Sequence, residues 1–218
     1  MAATSEFPCI LLGGGCPLLP FQLLPLQLFE PRYRLMGAAA LAADRRFAVG
    51  EALPDADGEE TSGPWATLGR IVEHQLTADG RHLLVIEGEI RLKVSGLAPD
   101  RPYPTLRAEK IDDGDPGPDA HVALARATAT VERTLPKIIG EEPASEFLPR
   151  LMRLAASNPG RFADAAAGHL ISDQAVRRQL LAQTNPLIRL RTLNKALLAI
   201  EAELTLGPLG PDIDNRLN

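Results

Sequence analysis

The clearest hydrophobic pattern in the chain lies at residues 23–36, LLPLQLFEPRYRLM. Leucine recurs at every second position of its first half, which is the period of a strand with one buried face. Pro31 follows, and proline suits the first helical position because its fixed φ fits a helix and its missing amide proton would have no partner there. We therefore predict a strand over residues 23–29 that runs directly into a helix over residues 31–43.

Apolar runs separated by turn-forming residues predict more strands in the first half of the chain. Asp79 and Gly80 are expected to form a type I′ hairpin turn, which needs positive φ at both central residues. Gly88 is expected at a turn or bulge. Charged residues, Arg91 among them, alternate with apolar ones over residues 89–94, so this strand is predicted to have one solvated face. The other strands are predicted at residues 8–12, 17–19, 47–52, 65–77, 81–87 and 103–111, with an acidic, turn-rich loop at residues 54–64.

The composition changes at residues 112–119, DDGDPGPD, which we interpret as a solvated linker. Its acidic residues do not fit a calcium-binding loop, because the twelfth position counted from Asp113 is Leu124 rather than glutamate. Beyond this linker the spacing of apolar residues is helical. Helices are predicted at residues 121–135, 143–156, 159–169, 172–183 and 186–204.

Details of this second half complete the predicted organisation. Pro136 is expected to end or kink the first helix, and Ser172 is expected to cap the fourth. An apolar stripe from Leu187 to Leu204 is predicted to face the core. Strands followed by helices predict an α+β fold with segregated elements. The predicted parts are a β-barrel domain at residues 7–112, a helical bundle at residues 119–205 and a tail at residues 206–218.

Composition and charge narrow the class of protein. The 218 residues are 45% apolar and 23% charged, with a formal net charge of −5. This negative charge argues against non-specific nucleic-acid binding, which needs a cationic surface. Cys9 and Cys16 form neither a CxxC motif nor a disulfide framework and are interpreted as free thiols of a cytoplasmic protein. The N-terminal apolar stretch lacks a basic segment before it and is broken by glycine and proline, so we expect neither a signal peptide nor a membrane span.

No catalytic constellation is found in the sequence, so we predict that the protein is not an enzyme and needs no cofactor. The phosphate-binding GxxxxGK[ST] loop and the GxSxG nucleophile elbow are both missing from it. His74 and His82 flank the predicted turn, but no third ligand is evident, so a cross-strand pair is favoured over a metal site. Trp65 is either a partly buried core residue or a binding contact beside a flexible loop, since tryptophan is enriched at interface hot spots.

The motif FEPRY at residues 29–33 is followed by a Gly-x-Ile strand, a turn of the DGR kind and a Gly-x-x-Arg strand. This order of motifs resembles the N-terminal, substrate-binding domain of the Lon protease family. It is most similar to the bacterial proteins that carry this domain without the ATPase and peptidase parts. The resemblance is strong over residues 8–112 and weaker over residues 120–204. The residues that carry it are Phe29, Glu30, Pro31, Arg32, Tyr33, Gly69, Ile71, Asp79, Gly80, Arg81, Gly88 and Arg91.

The resemblance implies a pseudo-barrel of mostly antiparallel strands related to the PUA fold, with one inserted helix and a helical bundle after it. It implies a non-enzymatic binding module, related to peptidase family S16, that recognises polypeptide segments without a metal. We interpret the motif residues as structural, since Glu30 and Arg32 lie where the helix dipole and the strand-to-helix corner explain them. The alternative is RNA binding, which PUA-like barrels often perform, although basic and aromatic residues do not cluster here. The resemblance leaves the oligomeric state open.

Overall fold

The computed structural model describes residues 4–14, 17–54, 57–58 and 60–206. Cys16 and the predicted tail from residue 207 onward lie outside these residues. The strands are β1 (Ser5–Leu12), β2 (Leu23–Leu28), β3 (Arg46–Pro54), β4 (Glu60–Leu76), β5 (His82–Leu97) and β6 (Thr105–Ile111). The helices are α1 (Pro31–Ala42), α2 (Ala120–Ile139), α3 (Glu141–Ser157), α4 (Pro159–Leu170), α5 (Gln174–Ala182) and α6 (Pro186–Leu206).

Five of these strands close into a barrel. β1 pairs in parallel with β3, and antiparallel ladders join β3 to β4, β4 to β5, β5 to β6 and β6 to β1. β2 lies outside this ring and pairs with the first half of β5. One edge of β5 therefore carries β2 along residues 82–87 and β6 along residues 91–97. The predicted α+β fold, with one helix among the strands and the others after them, is confirmed.

Alternating residues of the barrel strands fill two apolar clusters. On β1, Cys9 and Leu11 face a cluster of small side chains that includes Ala48 and Ala66, whereas Ile10 faces α1. Small side chains suit the narrow interior of a small barrel. Burial raises the pKa of the Cys9 thiol to about 12, so this cysteine stays protonated, as predicted for a free buried thiol.

The predicted corner between β2 and α1 is confirmed. β2 ends at Leu28, and Pro31 is the first residue of α1. A Cβ atom on Gly37 would lie 2.7 Å from Leu28 Cδ1, so the helix packs closely against the strand. The Tyr33 side chain is buried, and its hydroxyl accepts a hydrogen bond of 3.4 Å from the amide of Leu11. The corner thus connects α1 to both β2 and β1.

The prediction of a strand at residues 17–19 is wrong. Leu18 and Leu19 are buried, but Leu18 belongs to the cluster under α1 and Leu19 to the cluster of the helical bundle. The carbonyl oxygen of Leu18 accepts a hydrogen bond of 2.6 Å from the Thr67 hydroxyl instead of joining a ladder. A short apolar run predicts burial, and it does not by itself distinguish a strand from a buried loop.

The acidic loop between β3 and β4 is shorter than predicted. β3 extends to Pro54 and β4 begins at Glu60, and these two residues face each other in the ladder. Turn-forming residues predominate from residue 60 onward, and this composition predicts a loop there. Their pairing with β3 satisfies the backbone regardless of that composition.

The turn between β4 and β5 lies where it was predicted but is of a different type. Gly80 has φ +78°, whereas Asp79 is not in the left-handed region. The amide of Gly80 donates a hydrogen bond of 2.9 Å to the carbonyl of Thr77. The connection is therefore a turn closed by one left-handed glycine, because a type I′ turn would need positive φ at Asp79 as well.

Pro136 does not end α2, and Ser172 does not cap α5. α2 continues through Pro136 to Ile139, and the carbonyl of Pro136 accepts from the amide of Gly140. The proline thus costs the helix one internal hydrogen bond without ending it. Asp173, rather than Ser172, caps α5, since its carboxylate accepts a hydrogen bond of 2.9 Å from the amide of Val176.

The apolar stripe of α6 is buried over its central turns only. Leu190, Leu193 and Leu197 are fully buried in the bundle cluster. Leu204 is 48% exposed, so the prediction that the whole stripe faces the core is wrong at its C-terminal end. Helical spacing predicts which residues share a face, but the length of the neighbouring helices decides how much of that face is covered.

Gly88 lies at a bulge in β5, as predicted. The register between β4 and β5 shifts beside Gly69, which faces Gly88. The chain before β2 crosses here, because the amide of Gly88 donates to the Gln22 carbonyl and its carbonyl accepts from the Phe21 amide. A Cβ atom on Gly88 would lie 2.4 Å from the carbonyl oxygen of Leu19, so only glycine allows this approach.

We expect Gly88→Ala to lower the free energy of unfolding by about 1–3 kcal/mol, because its methyl group would overlap a backbone carbonyl. Urea unfolding followed by circular dichroism measures this change. Gly63→Ala in β4 is the matched control, since its nearest neighbour would lie at 3.5 Å, and it should change the value by less than about 0.5 kcal/mol. Equal losses in the two variants would contradict the close approach at Gly88.

Candidate functional site

One open part of the structure is the sheet formed by β2 with the adjoining ends of β4 and β5, which we call the hairpin sheet. It comprises residues 23–28, 71–76 and 82–87. Rows of three side chains run across it, such as Gln27, Leu83 and Gln75. Because side chains alternate between the two faces of a strand, neighbouring rows point to opposite sides of this sheet.

One face of the hairpin sheet borders an open cavity of about 570 Å³. Pro25, Leu83 and Val85 supply its apolar surface. Gln27 and Glu73 add polar groups beside them. An apolar floor with a polar surround is the usual composition of a surface that binds an organic or polypeptide ligand.

Large apolar side chains are exposed around the end of the hairpin sheet. Leu83, on the cavity face, is 36% exposed. Leu76 lies across the turn in the row of His82, on the other face, and is 58% exposed. Phe29, directly after β2, is 63% exposed, and Leu35 in α1 is 51% exposed. Exposed large apolar side chains gathered on neighbouring elements indicate a contact surface more often than a stability role.

The free edge of β2 is interrupted by a proline. Within the described residues β2 pairs with β5 on one side only, so its other edge carries no ladder. Pro25 lies at the middle of this edge strand and has no amide proton to donate. A proline on an edge strand is a common protection against the addition of another strand. The geometry therefore favours side-chain contacts on the sheet face over a long ladder along β2.

The opposite face of the hairpin sheet carries the two histidines. His74 Nε2 lies 3.0 Å from His82 Nδ1, and their rings stack with centroids 5.1 Å apart. His82 is 8% exposed, and burial, with His74 and Arg34 nearby, lowers its pKa below the ordinary value. Among the described residues, no group of three or more metal-binding side chains is placed to hold a metal ion.

The motif residues lie around the corner between β2 and α1. Arg32 Nε donates a hydrogen bond of 2.9 Å to Glu30, and its guanidinium lies 4.6 Å from the ring centroid of Tyr33. Arg32 also pairs with Glu60 of β4 at 3.3 Å. Pro31 begins the helix, and Phe29 is a large apolar motif side chain that is turned to solvent. These contacts join the corner to β4.

The motif glycines lie where backbones or turns leave no room for a side chain. A Cβ atom on Gly69 would lie 2.5 Å from Ile86 Cγ2. Gly80 has positive φ, and a Cβ atom there would meet the guanidinium of Arg34. Gly69, Gly80 and Gly88 therefore lie at positions where the backbone itself favours glycine, and this agrees with a structural interpretation of these residues.

The prediction that the Arg91 side chain is solvated is wrong. Arg91 is 3% exposed because α4 and α5 cover this face of β5. Its Nη1 donates a hydrogen bond of 2.8 Å to Asp164 of α4, and its Nε donates to the carbonyl of Leu181 at 3.1 Å. Alternation of apolar and charged residues cannot reveal that a later element covers the charged face.

Arg189 completes this buried network. Neither Arg189 nor Asp164 was identified from the sequence. Arg189 of α6 is fully buried, and its Nε lies 3.2 Å from Asp164 Oδ1. Its Nη2 donates a hydrogen bond of 2.6 Å to Asp113. Burial raises the pKa of the Asp164 carboxyl, and the guanidiniums of Arg91 and Arg189 act against that rise. The signal for Asp164 was a lone acid among the apolar and small residues of α4.

Residues 112–115 are exposed, as predicted for a solvated linker, but Asp113 also pairs with the buried arginines. Its carboxylate lies within ion-pair distance of both Arg91, at 3.6 Å, and Arg189, at 2.6 Å. The acidic composition of residues 112–119 suggested solvation. The pairing arises because the chain leaving β6 passes over the buried guanidiniums on its way to α2.

Trp65 lies between the barrel and the bundle. It is on β4 opposite Lys93 of β5, and it is partly buried against the apolar cluster of the helices. This placement agrees with the interpretation of a partly buried core residue, but Trp65 lies inside β4 and not at its start, because the strand already begins at Glu60. A binding contact at Trp65 stays a prediction.

The sequence profile of the ATP-dependent protease La (LON) substrate-binding domain matches residues 6–199. The chain therefore belongs to this family. The match lies in the substrate-binding domain and in neither the ATPase nor the protease part.

Solved structures of Lon N-terminal domains share the fold. The N-terminal domain of the Mycobacterium avium complex Lon protease gives a TM-score of 0.71 at 19% identity and covers 89% of this chain and 98% of its own. The Lon N-terminal domain protein from Xanthomonas campestris gives 0.62 at 19% identity, covering 87% and 96%.

The Lon protease of Methylocella silvestris is 24% identical over 175 residues. The match covers 77% of this chain but 21% of that protein. The chain thus spans about a fifth of the length of this relative. None of the helices that the structure describes is both long and apolar enough to cross a bilayer.

We expect Arg91→Met to lower the free energy of unfolding by about 3–5 kcal/mol, because it leaves the Asp164 carboxylate buried without its main partner. Arg133→Met is the matched control. Arg133 pairs with Glu201 at 3.0 Å, but its side chain is 51% exposed, so the loss should stay below about 1 kcal/mol. Chemical unfolding measures both changes, and similar losses would show that burial of the Arg91 pair has no special weight.

We also expect the hairpin sheet to weaken in mild acid. A histidine whose pKa is lowered in the folded state binds fewer protons than it does when unfolded, so the free energy of unfolding falls as the pH drops below about 6.5. Thermal unfolding between neutral pH and mildly acidic pH measures this dependence. His82→Gln should give a flatter pH profile than the unchanged chain, and identical profiles would contradict a role for His82.

Proposed function

We propose that this chain is a non-catalytic binding module that holds polypeptide segments on the hairpin sheet and its exposed apolar end. The observation that supports this proposal is the exposure of Leu83, which lines the cavity together with Pro25 and Val85. Leu76 and Phe29 are exposed at the end of the same sheet. The family to which the chain belongs is described as the substrate-binding domain of Lon. A binding surface with this composition fits the name of that family.

The chemistry of the surface favours apolar segments of low structure. Burying a leucine or phenylalanine side chain gains roughly 1.5–3 kcal/mol, and few such contacts fit a cavity of this size. The entropy of ordering a flexible segment offsets much of that gain. We therefore expect affinities in the micromolar range or weaker, which suit transient capture of many different segments.

This location differs from the space between barrel and bundle. There, Arg91, Asp164 and Trp65 pack against other parts of the same chain. The hairpin sheet lies at the opposite end of β5 and faces solvent. We infer that the motif residues other than Phe29 act by shaping the barrel and its corner and do not contact the ligand.

The proposal includes no cofactor, and the partners it names are proteins or peptides in the cytoplasm. A buried, protonated Cys9 suits a reducing compartment. RNA is the less favoured ligand because arginines on the barrel pair with carboxylates instead of forming a free cationic face. Arg46 and Arg70 both contact Glu89, for example, at 2.7 and 2.8 Å.

We expect Leu83→Glu, alone or with Leu76→Glu, to weaken binding of carboxymethylated, permanently unfolded α-lactalbumin by about tenfold or more, because a buried charge would oppose apolar contact. Fluorescence anisotropy of the labelled probe measures the affinity. Leu53→Glu is the matched control, since Leu53 is also a strand leucine and is 37% exposed. It should leave the affinity unchanged.

A labelled single-stranded RNA of mixed sequence tests the alternative in the same assay. Tight, salt-dependent binding of the RNA, with no binding of the unfolded protein, would contradict the proposed function. Equal loss of affinity in Leu83→Glu and Leu53→Glu would also contradict it, because the hairpin sheet would then not be the site.

A further inference from the structure

A second open surface lies on the bundle, between α2 and α6, far along the chain from the hairpin sheet. The two helices run side by side in the same direction, since Thr130 bonds Asn194 at 2.7 Å and Arg133 bonds Glu201 further along both helices. Near their N-terminal ends they leave a cavity of about 460 Å³. We call it the α2–α6 groove and define it by Val122, Arg126, Arg191, Lys195 and Leu198.

The groove exposes apolar side chains at its centre. Val122 is 43% exposed and Leu198 is 45% exposed, one from each helix. Leu190, fully buried beneath them, completes an apolar floor. Two parallel helices with such a floor offer a third helix the same ridges and grooves that they offer each other.

The rim of the groove carries more positive than negative charge, since Arg126, Arg191 and Lys195 line it together with Asp119. Among the described residues, no carboxylate lies within 4.0 Å of Arg126 or Lys195. Arg191 has one acidic neighbour, Asp119, at 3.9 Å, and both side chains are mostly exposed. By contrast, Arg133 on the same helix pair shares Glu201 with Lys137, at 3.0 Å each. Three cations against one acid at the same groove stand out in a chain of net charge −5.

We propose that the α2–α6 groove is a docking surface for an acidic amphipathic helix of a partner protein. In helix-in-groove recognition the bound helix carries apolar anchors at i, i+3/i+4 and i+7. In this groove those anchors would contact Val122 and Leu198. Glutamate or aspartate beside those anchors would meet Arg126, Arg191 and Lys195. Nucleic acid fits less well, because aromatic side chains for stacking do not line this groove.

Three synthetic helical peptides of about five turns test the proposal. They share one leucine face and carry glutamate, glutamine or lysine on both flanks. We expect the glutamate-flanked peptide to bind tightest and the lysine-flanked peptide weakest, as measured by fluorescence anisotropy. NMR chemical-shift changes on binding should map to α2 and α6.

The matched variants separate charge recognition from general damage. Arg126→Glu with Lys195→Glu should weaken the glutamate-flanked peptide by about tenfold and strengthen the lysine-flanked one. Lys93→Glu with Arg153→Glu makes the same change in net charge at exposed residues elsewhere and should alter neither affinity. A misfolded variant would not bind the lysine-flanked peptide more tightly. A gain in that affinity therefore excludes general damage to the fold.

Several outcomes would overturn the proposal. These are no preference among the three peptides, no binding of any of them, or shift changes confined to the hairpin sheet. Self-association that Leu198→Glu abolishes would assign the groove to a second copy of the chain. Shifts of residues 207–218 caused by Leu198→Glu would assign it to the chain's own C-terminal segment. Loss of unfolded-protein binding in Leu83→Glu bears only on the hairpin sheet, so the two proposals fail independently.

Discussion

The ion pair between Arg91 and Asp164 is the contact on which the arrangement of barrel and bundle depends. Both side chains are almost completely buried, so each would be costly to desolvate without the other. Arg91 extends from β5 and Asp164 from α4, and Arg189 of α6 lies 3.2 Å from the same carboxylate. Apolar contacts between the two parts tolerate sliding, whereas this network has one geometry. We infer that this network fixes the orientation of the bundle on the barrel and also adds stability.

The same strand that anchors the bundle also leaves the hairpin sheet open. β5 changes partner along one edge at the Gly88 bulge, from β2 before it to β6 after it. The helices cover β5 around Arg91, beyond the bulge, and leave Leu83 and Val85 before it uncovered. Gly88, where the backbone at Leu19 crosses the strand, therefore divides β5 into two halves. The half after it carries the buried Arg91, and the half before it has one exposed, apolar face.

Local features of this fold were predictable from the sequence, and contacts between distant elements were not. Proline chemistry predicts the start of α1 at Pro31, and glycine predicts both the turn at Gly80 and the bulge at Gly88. The same period-two pattern predicts that Arg91 is solvated, because it contains no information about α4. Leu83 likewise reads as an ordinary strand residue, and its exposure follows only from the absence of a covering element among the described residues.

The two proposed surfaces would select ligands by different physical properties. The hairpin sheet is surrounded by neutral amides and Glu73, so discrimination there rests mainly on the apolar content of a segment. At the α2–α6 groove, Arg126 and Lys195 add a charge requirement that salt would weaken. Because the two surfaces share no lining residue and belong to different elements, a ligand on one need not displace a ligand on the other. A module with these properties could hold an unfolded segment while a folded helical partner is bound.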